Sequence, residues 1–334
     1  MSIKSNYFPL GLTLFLALAL SACSAAANPQ ATTPSAESLI TQTTEPATLK
    51  VVVLPVLDTL PIRVAQQEGL FEQNGVKVEL IPAQAAPERD QLISAEQADG
   101  MINEVLSTMF YNQNETQVQI VGYARSATSQ DSLFAILVAG NSGIDTLEAL
   151  KGVEIGISQG TVIEYVTSRL LGAEGFADAD IKSVAVPNIS SRLELLLNGE
   201  LKAAVLPEPL TSLAVSRGAR VILADTSHPE YSFSTLSFRK EVIDQHPEAI
   251  RAFLKAVEEA VTRLNSNPDQ YKSILADQQL VPAPVLETFR MPEFNTSGVP
   301  TQAQWDDTLN WAKEKGLITK DLAYSDSVNA TFLP

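Results

Sequence analysis

Strand-like and helix-like segments alternate along this chain, and their order limits the possible folds more than any other feature. A continuous apolar run at residues 51–54 predicts a buried strand, alternating apolar positions over 76–80 predict a second, and 100–102 predict a third. Helical segments lie between them, the first ending at Gly69 and the next running over 87–95. This order predicts an α/β fold with mostly parallel sheets.

The same order begins again in the second half of the chain. Its predicted strands and helices, in turn, are residues 153–157, 161–171, 181–186, 191–197 and 203–206. Segment 82–104, with Arg89 on its helix, parallels segment 187–208, with Arg192 on its helix. Such a parallel is typical of any two βαβ units, so we interpret it as two similar units that face each other and not as homology.

Two apolar, strand-like segments, 133–139 and 233–238, are predicted to connect the two halves. We therefore expect lobe 1 to comprise residues 48–135 plus 234–334, and lobe 2 to comprise residues 136–233, joined by two hinge strands. Two connections of this kind permit the lobes to close over a ligand.

The N-terminus is a short basic and then apolar segment that ends in the only cysteine of the chain. Lys4 precedes an apolar run over 8–20, and a Leu-Ser-Ala-Cys sequence ends at Cys23. This pattern is typical of a bacterial lipoprotein signal peptide, and the run is too short for a transmembrane helix. It predicts a cleaved signal over 1–22 and a lipidated Cys23; the alternative is an ordinary secretory signal with a chance cysteine.

Residues 23–47 predict a flexible tether behind this anchor. After Cys23 the segment is rich in Ala, Ser, Thr, Pro and Gln, and Glu37 and Glu45 are its only charges. A diacylglycerol anchor supplies two acyl chains, which suffice for stable attachment to a membrane. The sequence therefore predicts a body held by lipid on the extracytoplasmic face of the cell membrane.

Composition excludes several classes of function. The net charge of -16 argues against nucleic-acid binding, because a basic stripe is needed to replace phosphate counterions. A single cysteine excludes an intramolecular disulfide and a thiolate metal site, and the only histidines, His228 and His246, each precede a proline. We expect a monomer with no metal, no cofactor and no nucleic-acid partner.

The candidate ligand-binding residues follow the predicted strands. Ligands of α/β sheets bind beyond the carboxyl ends of parallel strands, where loops and helix N-termini meet. Tyr123, Phe134, Tyr165 and Tyr231 are available for stacking on a ligand ring. The candidate site residues are Asp58, Thr59, Leu60, Asn103, Glu104, Tyr123, Arg125, Ser158, Gln159, Thr161, Tyr165 and Glu208. Thr161 also begins a helix, whose free N–H groups can bind a carbonyl or an anion.

Some of these residues have a structural alternative. Asp58 and Thr59 are also suited to cap the helix that follows them. Arg125 can pair with an acidic substrate or with a surface carboxylate, and we interpret Arg89 as a structural ion-pair residue. Glu208 lies between two prolines with few local partners, which favours a role at the ligand or at the hinge.

Short motifs in this order resemble those of the type 2 solute-binding proteins of bacterial ABC importers. They are residues 54–61, 65–71, 76–80, 88–90, 98–100, 147–152, 158–161, 206–209 and 238–253. More narrowly, the chain resembles the branch that serves thiamine-pyrimidine precursors, riboflavin, alkanesulfonates and nitrate, and the match covers nearly all of the body. The resemblance implies a periplasmic-binding-protein type 2 fold, capture of a small molecule by lobe closure, and delivery to an ABC permease with a separate ATPase subunit.

Within that branch, the predicted strand ends carry more carboxylates than cations, and carboxylates accept hydrogen bonds. We therefore expect a donor-rich ligand, with riboflavin first, a thiamine pyrimidine precursor second, and an alkanesulfonate or nitrate third. The fungal pyrimidine synthases share the implied fold and are enzymes, but their cysteine-rich motif does not occur in this sequence. We therefore expect no enzymatic activity.

Overall fold

The computed structural model describes residues 46–295 and 298–334. The predicted signal peptide, Cys23 and all but the last two residues of the predicted tether lie outside the described residues. Within the described ranges, no helix combines the length and the apolar character that a transmembrane span needs.

Ten strands alternate with thirteen α-helices in the described part of the chain. The strands are β1 (Thr48–Val53), β2 (Lys77–Pro82), β3 (Gly100–Asn103), β4 (Val118–Ser126), β5 (Phe134–Val138), β6 (Glu154–Ile157), β7 (Lys182–Ala185), β8 (Ala203–Pro207), β9 (Arg220–Ala224) and β10 (Phe233–Arg239). The helices are α1 (Leu60–Gln67), α2 (Leu70–Gln73), α3 (Ala86–Ser94), α4 (Val105–Tyr111), α5 (Val162–Ala173), α6 (Ile189–Asn198), α7 (Leu210–Ser216), α8 (Lys240–Gln245), α9 (Pro247–Ser266), α10 (Lys272–Asp277), α11 (Ala283–Leu286), α12 (Gln302–Glu314) and α13 (Tyr324–Ser327).

The first sheet has the strand order β2-β1-β3-β10-β4. Strand β1 pairs in parallel with β2 and β3, with Val51 opposite both Leu80 and Gly100. Strand β10 lies antiparallel between β3 and β4. All strands but β10 therefore run in one direction, and their carboxyl ends share one edge of the sheet.

The second sheet, in the order β7-β6-β8-β5-β9, repeats this arrangement. Strand β6 pairs in parallel with β7 and β8, and β5 lies antiparallel between β8 and β9. Strands β6, β7 and β8 thus correspond to β1, β2 and β3, and β5 corresponds to β10. The predicted α/β fold with mostly parallel sheets is confirmed.

The chain passes between the sheets twice, over residues 127–133 and 225–232. The segments predicted as hinge strands are each built into one sheet, β5 in the second and β10 in the first, so the connections are the short stretches before them. Asp225 joins the two connections, because its carboxylate accepts hydrogen bonds from the Ser132 hydroxyl (2.7 Å) and the Phe134 N–H (2.8 Å). The division into two closing lobes stays a prediction.

Helix α9 covers one face of the first sheet. Its Phe253 stacks on Phe71 at 5.2 Å between ring centroids and meets the edge of Phe238 at the same distance. A Cβ on Gly100 would lie 2.4 Å from the Phe238 ring, so glycine at this position leaves room for Phe238 of β10 to pack against β3. This core holds the strand ends of the first sheet in place.

Helix α4 was not among the predicted elements. It begins directly after β3, where the Glu104 side chain accepts a hydrogen bond from the Ser107 N–H at 2.9 Å and so caps the helix. Because Glu104 was assigned only to a strand-end loop, its role as an N-cap was missed. The cap fixes the carboxylate at the edge where the strands of the first sheet end.

Candidate ligand-binding cleft

A cleft lies where the strand ends of the two sheets meet. Its cavity volume is ≈ 90 Å³. Six of the predicted site residues line it: Asp58, Asn103, Glu104, Ser158, Thr161 and Glu208. Residues from both halves therefore lie together beyond the carboxyl ends of the parallel strands, where ligands of α/β sheets bind.

Three predicted residues lie outside the cleft lining for local reasons. Thr59 is fully buried and donates its hydroxyl to the Val56 carbonyl at 2.9 Å, and Leu60 is part of the apolar core. Gln159 is exposed and its amide points to Ser183 at 3.4 Å. Their positions after a strand are correct, but their side chains turn away from the cleft.

Of the four aromatic residues predicted for stacking, only Phe134 lines the cleft, and helix α12 holds Tyr123 and Tyr165 elsewhere. The Tyr123 hydroxyl donates to Gln304 at 2.9 Å, and the Tyr165 hydroxyl donates to Asp307 at 2.7 Å. Burial is the main cause that raises the pKa of Tyr123 to about 12. Neither ring lines the cleft, so the chain offers no tyrosine platform there among the described residues.

Asp58 lines the cleft, and Arg125 stands behind it. The Asp58 carboxylate accepts a hydrogen bond from the Ser234 hydroxyl at 2.6 Å and pairs with Arg125 Nη1 at 3.5 Å. Arg125 also donates to the Ser132 carbonyl at 2.9 Å, in the first connection between the sheets. The alternative that Asp58 or Thr59 caps α1 is wrong, because neither side chain accepts a capping hydrogen bond.

Arg89, on α3, lines the cleft and is only 2% exposed. It pairs with Asp90 at 2.8 Å, lies 3.7 Å from Glu104 Oε1, and donates to the Ile102 carbonyl at 3.3 Å. Burial works to lower the pKa of this guanidinium, but the charges of Asp90 and Glu104 outweigh burial and raise the pKa. The predicted ion-pair role of Arg89 is confirmed, but its position in the cleft lining was not predicted.

Arg192, on α6, also lines the cleft and is completely buried. Its Nε and Nη1 donate to the carbonyls of Val205 and Val186, each at 2.7 Å, while Nη2 has no hydrogen-bond partner among the described residues. No carboxylate in the described part of the chain forms an ion pair with it, and burial lowers its pKa to about 10. Arg192 was not among the predicted site residues.

The two arginines occupy equivalent places. Each lies on the helix before the third strand of its parallel unit, and each donates to a strand carbonyl 13 residues further along the chain, Ile102 for Arg89 and Val205 for Arg192. The alignment of the two halves already placed them at similar positions. That alignment was the signal in the sequence that pointed to both.

Glu104 directly follows β3, Glu208 directly follows the equivalent strand β8, and both line the cleft. Burial, partly offset by the charge of Arg89 and the bond from Ser107, raises the pKa of Glu104 to about 7. Burial also raises the pKa of Glu208, against the hydrogen bonds that it accepts from Ser212. Asp58 forms an ion pair with Arg125. Among the charged side chains of the cleft near neutral pH, Arg192 is therefore the one with the least opposite charge around it.

Comparison with known proteins places the chain in a family. The model of the family described as "NMT1/THI5 like" matches residues 57–271. The chain belongs to the NMT1/THI5-like family. A Bacillus subtilis protein provisionally named an aliphatic sulfonates-binding protein is 25% identical over 293 residues, which cover 82% of this chain and 83% of that protein.

A second relative of this NMT1/THI5-like chain is a Haemophilus influenzae protein provisionally named a thiamine biosynthesis protein. It is 24% identical over 294 residues, which cover 80% of this chain and 87% of that protein. Among solved structures, the alkanesulfonate-binding protein SsuA of Xanthomonas axonopodis pv. citri, bound to MOPS, matches with a TM-score of 0.73. It is 18% identical, and the match covers 86% of this chain and 99% of SsuA.

The family and the structural match together identify the fold. This NMT1/THI5-like chain has the periplasmic-binding-protein fold. Within the described residues, no group of three or more His, Cys, Asp or Glu side chains is placed to hold a metal ion.

Proposed function

We infer that this protein captures a small organic anion in its cleft, with an alkanesulfonate as the first ligand class, and delivers it to an ABC permease. Arg192 carries this proposal. A guanidinium buried with one unpaired nitrogen and no carboxylate is costly, since a buried charge needs both hydrogen bonds and a counter-charge. An anion in the cleft supplies both at once.

Arg89 adds a second donor from the opposite wall. Its Nη2 is also buried without a hydrogen bond among the described residues, although Glu104 lies 3.7 Å away. Sulfonate and carboxylate groups have several oxygens and can accept from two guanidinium groups together. A ligand held from both walls gains most of its contacts only when the walls are close, which favours capture by closure.

This ligand class differs from the riboflavin that the sequence ranked first. That ranking counted the strand-end carboxylates but placed neither Arg89 nor Arg192 in the cleft. The cavity volume of ≈ 90 Å³ also suits a compact ligand better than a vitamin of drug-like size, for which pockets of roughly 300–1,000 Å³ are usual. The names of the Bacillus and Xanthomonas proteins support the sulfonate alternative.

The remaining parts of the proposal concern the rest of the molecule. The predicted lobe bounds at 135 and 233 cut through β5 and β10, so we place lobe 1 at residues 48–126 plus 233–334 and lobe 2 at residues 134–224. The two lobes, joined by the connections 127–133 and 225–232, close on the ligand. Lipidated Cys23 holds the monomeric body at the extracytoplasmic face of the membrane, close to its permease. Labelling cells with a palmitate analogue tests the anchor: the wild-type chain incorporates label, and Cys23→Ser does not.

Calorimetry on the full-length chain in detergent tests the ligand class. The panel is ethanesulfonate, nitrate, riboflavin and an aminopyrimidine, in a buffer free of sulfonates. We expect ethanesulfonate to bind, and Arg192→Met to weaken it by about 2–5 kcal/mol, because the anion loses its charged partner. Arg217→Met, which removes an exposed arginine directly after α7 and outside the cleft lining, should leave affinity unchanged.

Two outcomes would contradict the proposal. If riboflavin or the aminopyrimidine binds and no anion does, the order of ligands expected from the sequence is the right one. Equal anion affinity in the wild-type chain and in a folded Arg192→Met variant would show that the buried guanidinium does not meet the ligand.

A further inference from the structure

Asn103 lines the cleft and has an unused hydrogen-bond acceptor. It is the last residue of β3, is 1% exposed and lines the cleft. Its Nδ2 donates to Thr108 Oγ1 at 3.0 Å, and the Thr108 hydroxyl donates to the Glu104 carbonyl at 3.1 Å. The Oδ1 atom is buried and accepts no hydrogen bond from any described residue. Such an atom costs free energy until a donor reaches it.

The neighbouring hydrogen bonds decide which end of the amide is free. If the amide were rotated by 180°, the Thr108 hydroxyl would have to leave the Glu104 carbonyl to donate to Oδ1, and both hydrogens of Nδ2 would lack a partner. The orientation with Oδ1 free keeps one more hydrogen bond. The positive charges of Arg89 and Arg192 in the same cleft favour the amide oxygen on this side as well.

We propose that Asn103 selects the ligand: besides its anionic group, the ligand carries a hydrogen-bond donor, an amine or a hydroxyl, that binds Asn103 Oδ1. This inference rests on the proposed function, because the anionic group is assigned to Arg192 and Arg89. The cleft then matches its ligand with two kinds of unpaired atom, guanidinium donors and an amide acceptor. A ligand that lacks the donor closes the cleft over a buried acceptor without a partner, and sites of this kind discriminate strongly against such analogues.

Matched sulfonates test the role of Asn103. Calorimetry on the full-length chain compares ethanesulfonate with its 2-hydroxy and 2-amino derivatives, and propanesulfonate with its 3-hydroxy and 3-amino derivatives. Within at least one of the two sets, we expect the donor-bearing compounds to bind about tenfold more tightly or better. Asn103→Leu should abolish this difference, whereas Asn103→Asp, which keeps an acceptor oxygen at the same place, should retain it.

Asn74→Leu is the matched control. Asn74 follows α2 and does not line the cleft, and its half-buried amide donates to the Leu70 carbonyl at 2.9 Å. Its loss removes an amide and a hydrogen bond as Asn103→Leu does, and the preference for donor-bearing ligands should remain. Circular dichroism shows whether each variant is folded. If Asn103→Leu is not folded, the test is the preference for donor-bearing over plain sulfonates, measured in the wild-type chain and in Asn103→Asp.

The outcomes separate this inference from the proposed function. If the plain sulfonates bind as tightly as the donor-bearing ones in both sets, or if the preference survives in folded Asn103→Leu, Asn103 does not select the ligand and anion capture still stands. If no sulfonate binds at all, both the inference and the proposed function fail.

Discussion

Arg89 and Arg192 lie at equivalent positions of the two halves, yet their surroundings differ. Arg89 has two carboxylates nearby, Asp90 at 2.8 Å and Glu104 at 3.7 Å. Arg192 has only backbone carbonyls, and burial lowers its pKa to about 10. The same helix position therefore carries a charge that the protein neutralises in one half and leaves open in the other.

The difference assigns separate tasks to the two walls of the cleft. An anion gains most at Arg192, since no protein group competes for that guanidinium. At Arg89 the ligand has to share the guanidinium with Glu104, so the contribution of this wall depends on the charge of Glu104. We expect affinity to come mainly from the second half and its regulation by pH to come from the first.

The largest expected effect comes from removing each arginine in turn. Arg192→Met should weaken binding of ethanesulfonate by about 2–5 kcal/mol, whereas Arg89→Met should cost less, about 1.5 kcal/mol, because Asp90 and Glu104 already neutralise much of its charge. Calorimetry on both variants measures the two losses side by side. A greater loss in Arg89→Met would reverse the comparison between the halves.

An intermediate effect should come from pH. The pKa of Glu104 is raised to about 7 by burial, so its carboxyl group is neutral below that pH and negative above it. Affinity for a sulfonate, which does not titrate in this range, should fall by up to about tenfold between pH 6 and pH 8 as Glu104 ionises beside Arg89. Glu104→Gln keeps an oxygen for the Ser107 cap and should bind equally well at both values.

The stability of the empty protein provides the control for this pH effect. Between the unfolded value near 4.5 and the folded value of about 7, Glu104 binds more protons in the folded state, so stability falls as pH rises through this range. The melting temperature of Glu104→Gln should exceed that of the wild type at pH 8 and approach it at pH 4.5. A Glu104→Gln variant with an unchanged pH profile would assign the titration to another group.

The smallest expected effect comes from Asp90→Asn. This change removes the nearest counter-charge of Arg89 but keeps an oxygen that can accept from Arg89 and from the Tyr111 hydroxyl. Arg89 then resembles Arg192 more closely, and sulfonate affinity should rise by a few-fold, or about 0.5–1 kcal/mol, as expected for one partly exposed charge. A fall in affinity in a folded variant would show that Asp90 positions Arg89 rather than competing with the ligand.

The sequence predicted many of the elements, although it missed α4 and β9. The buried strand at β1, the helix that ends at Gly69 and the repeat from β6 to β8 all follow from apolar periodicity and helix termination, and each lies within a few residues of its prediction. Periodicity does not show which strands pair. Only the structure shows that β10 lies between β3 and β4, and that β5 lies between β8 and β9.

The site was predicted in part, for a related reason. Strand ends identify residues near the cleft, and so Asp58, Asn103 and Glu104 were found. The arginines lie inside helices, where a charged residue usually faces solvent, and their long side chains reach the strand ends from a distance. Only the packing of α3 and α6 against the sheets shows that both guanidinium groups are buried.

The place of β10 also has a consequence for how the chain matures. The second sheet uses one uninterrupted stretch of sequence, from Phe134 to Ala224, and all of its strands are present once that stretch has emerged. The first sheet stays open between β3 and β4 until Phe233–Arg239 arrives. During export, we expect the second sheet to assemble first, and the first sheet, which begins nearest the predicted anchor, to be completed last.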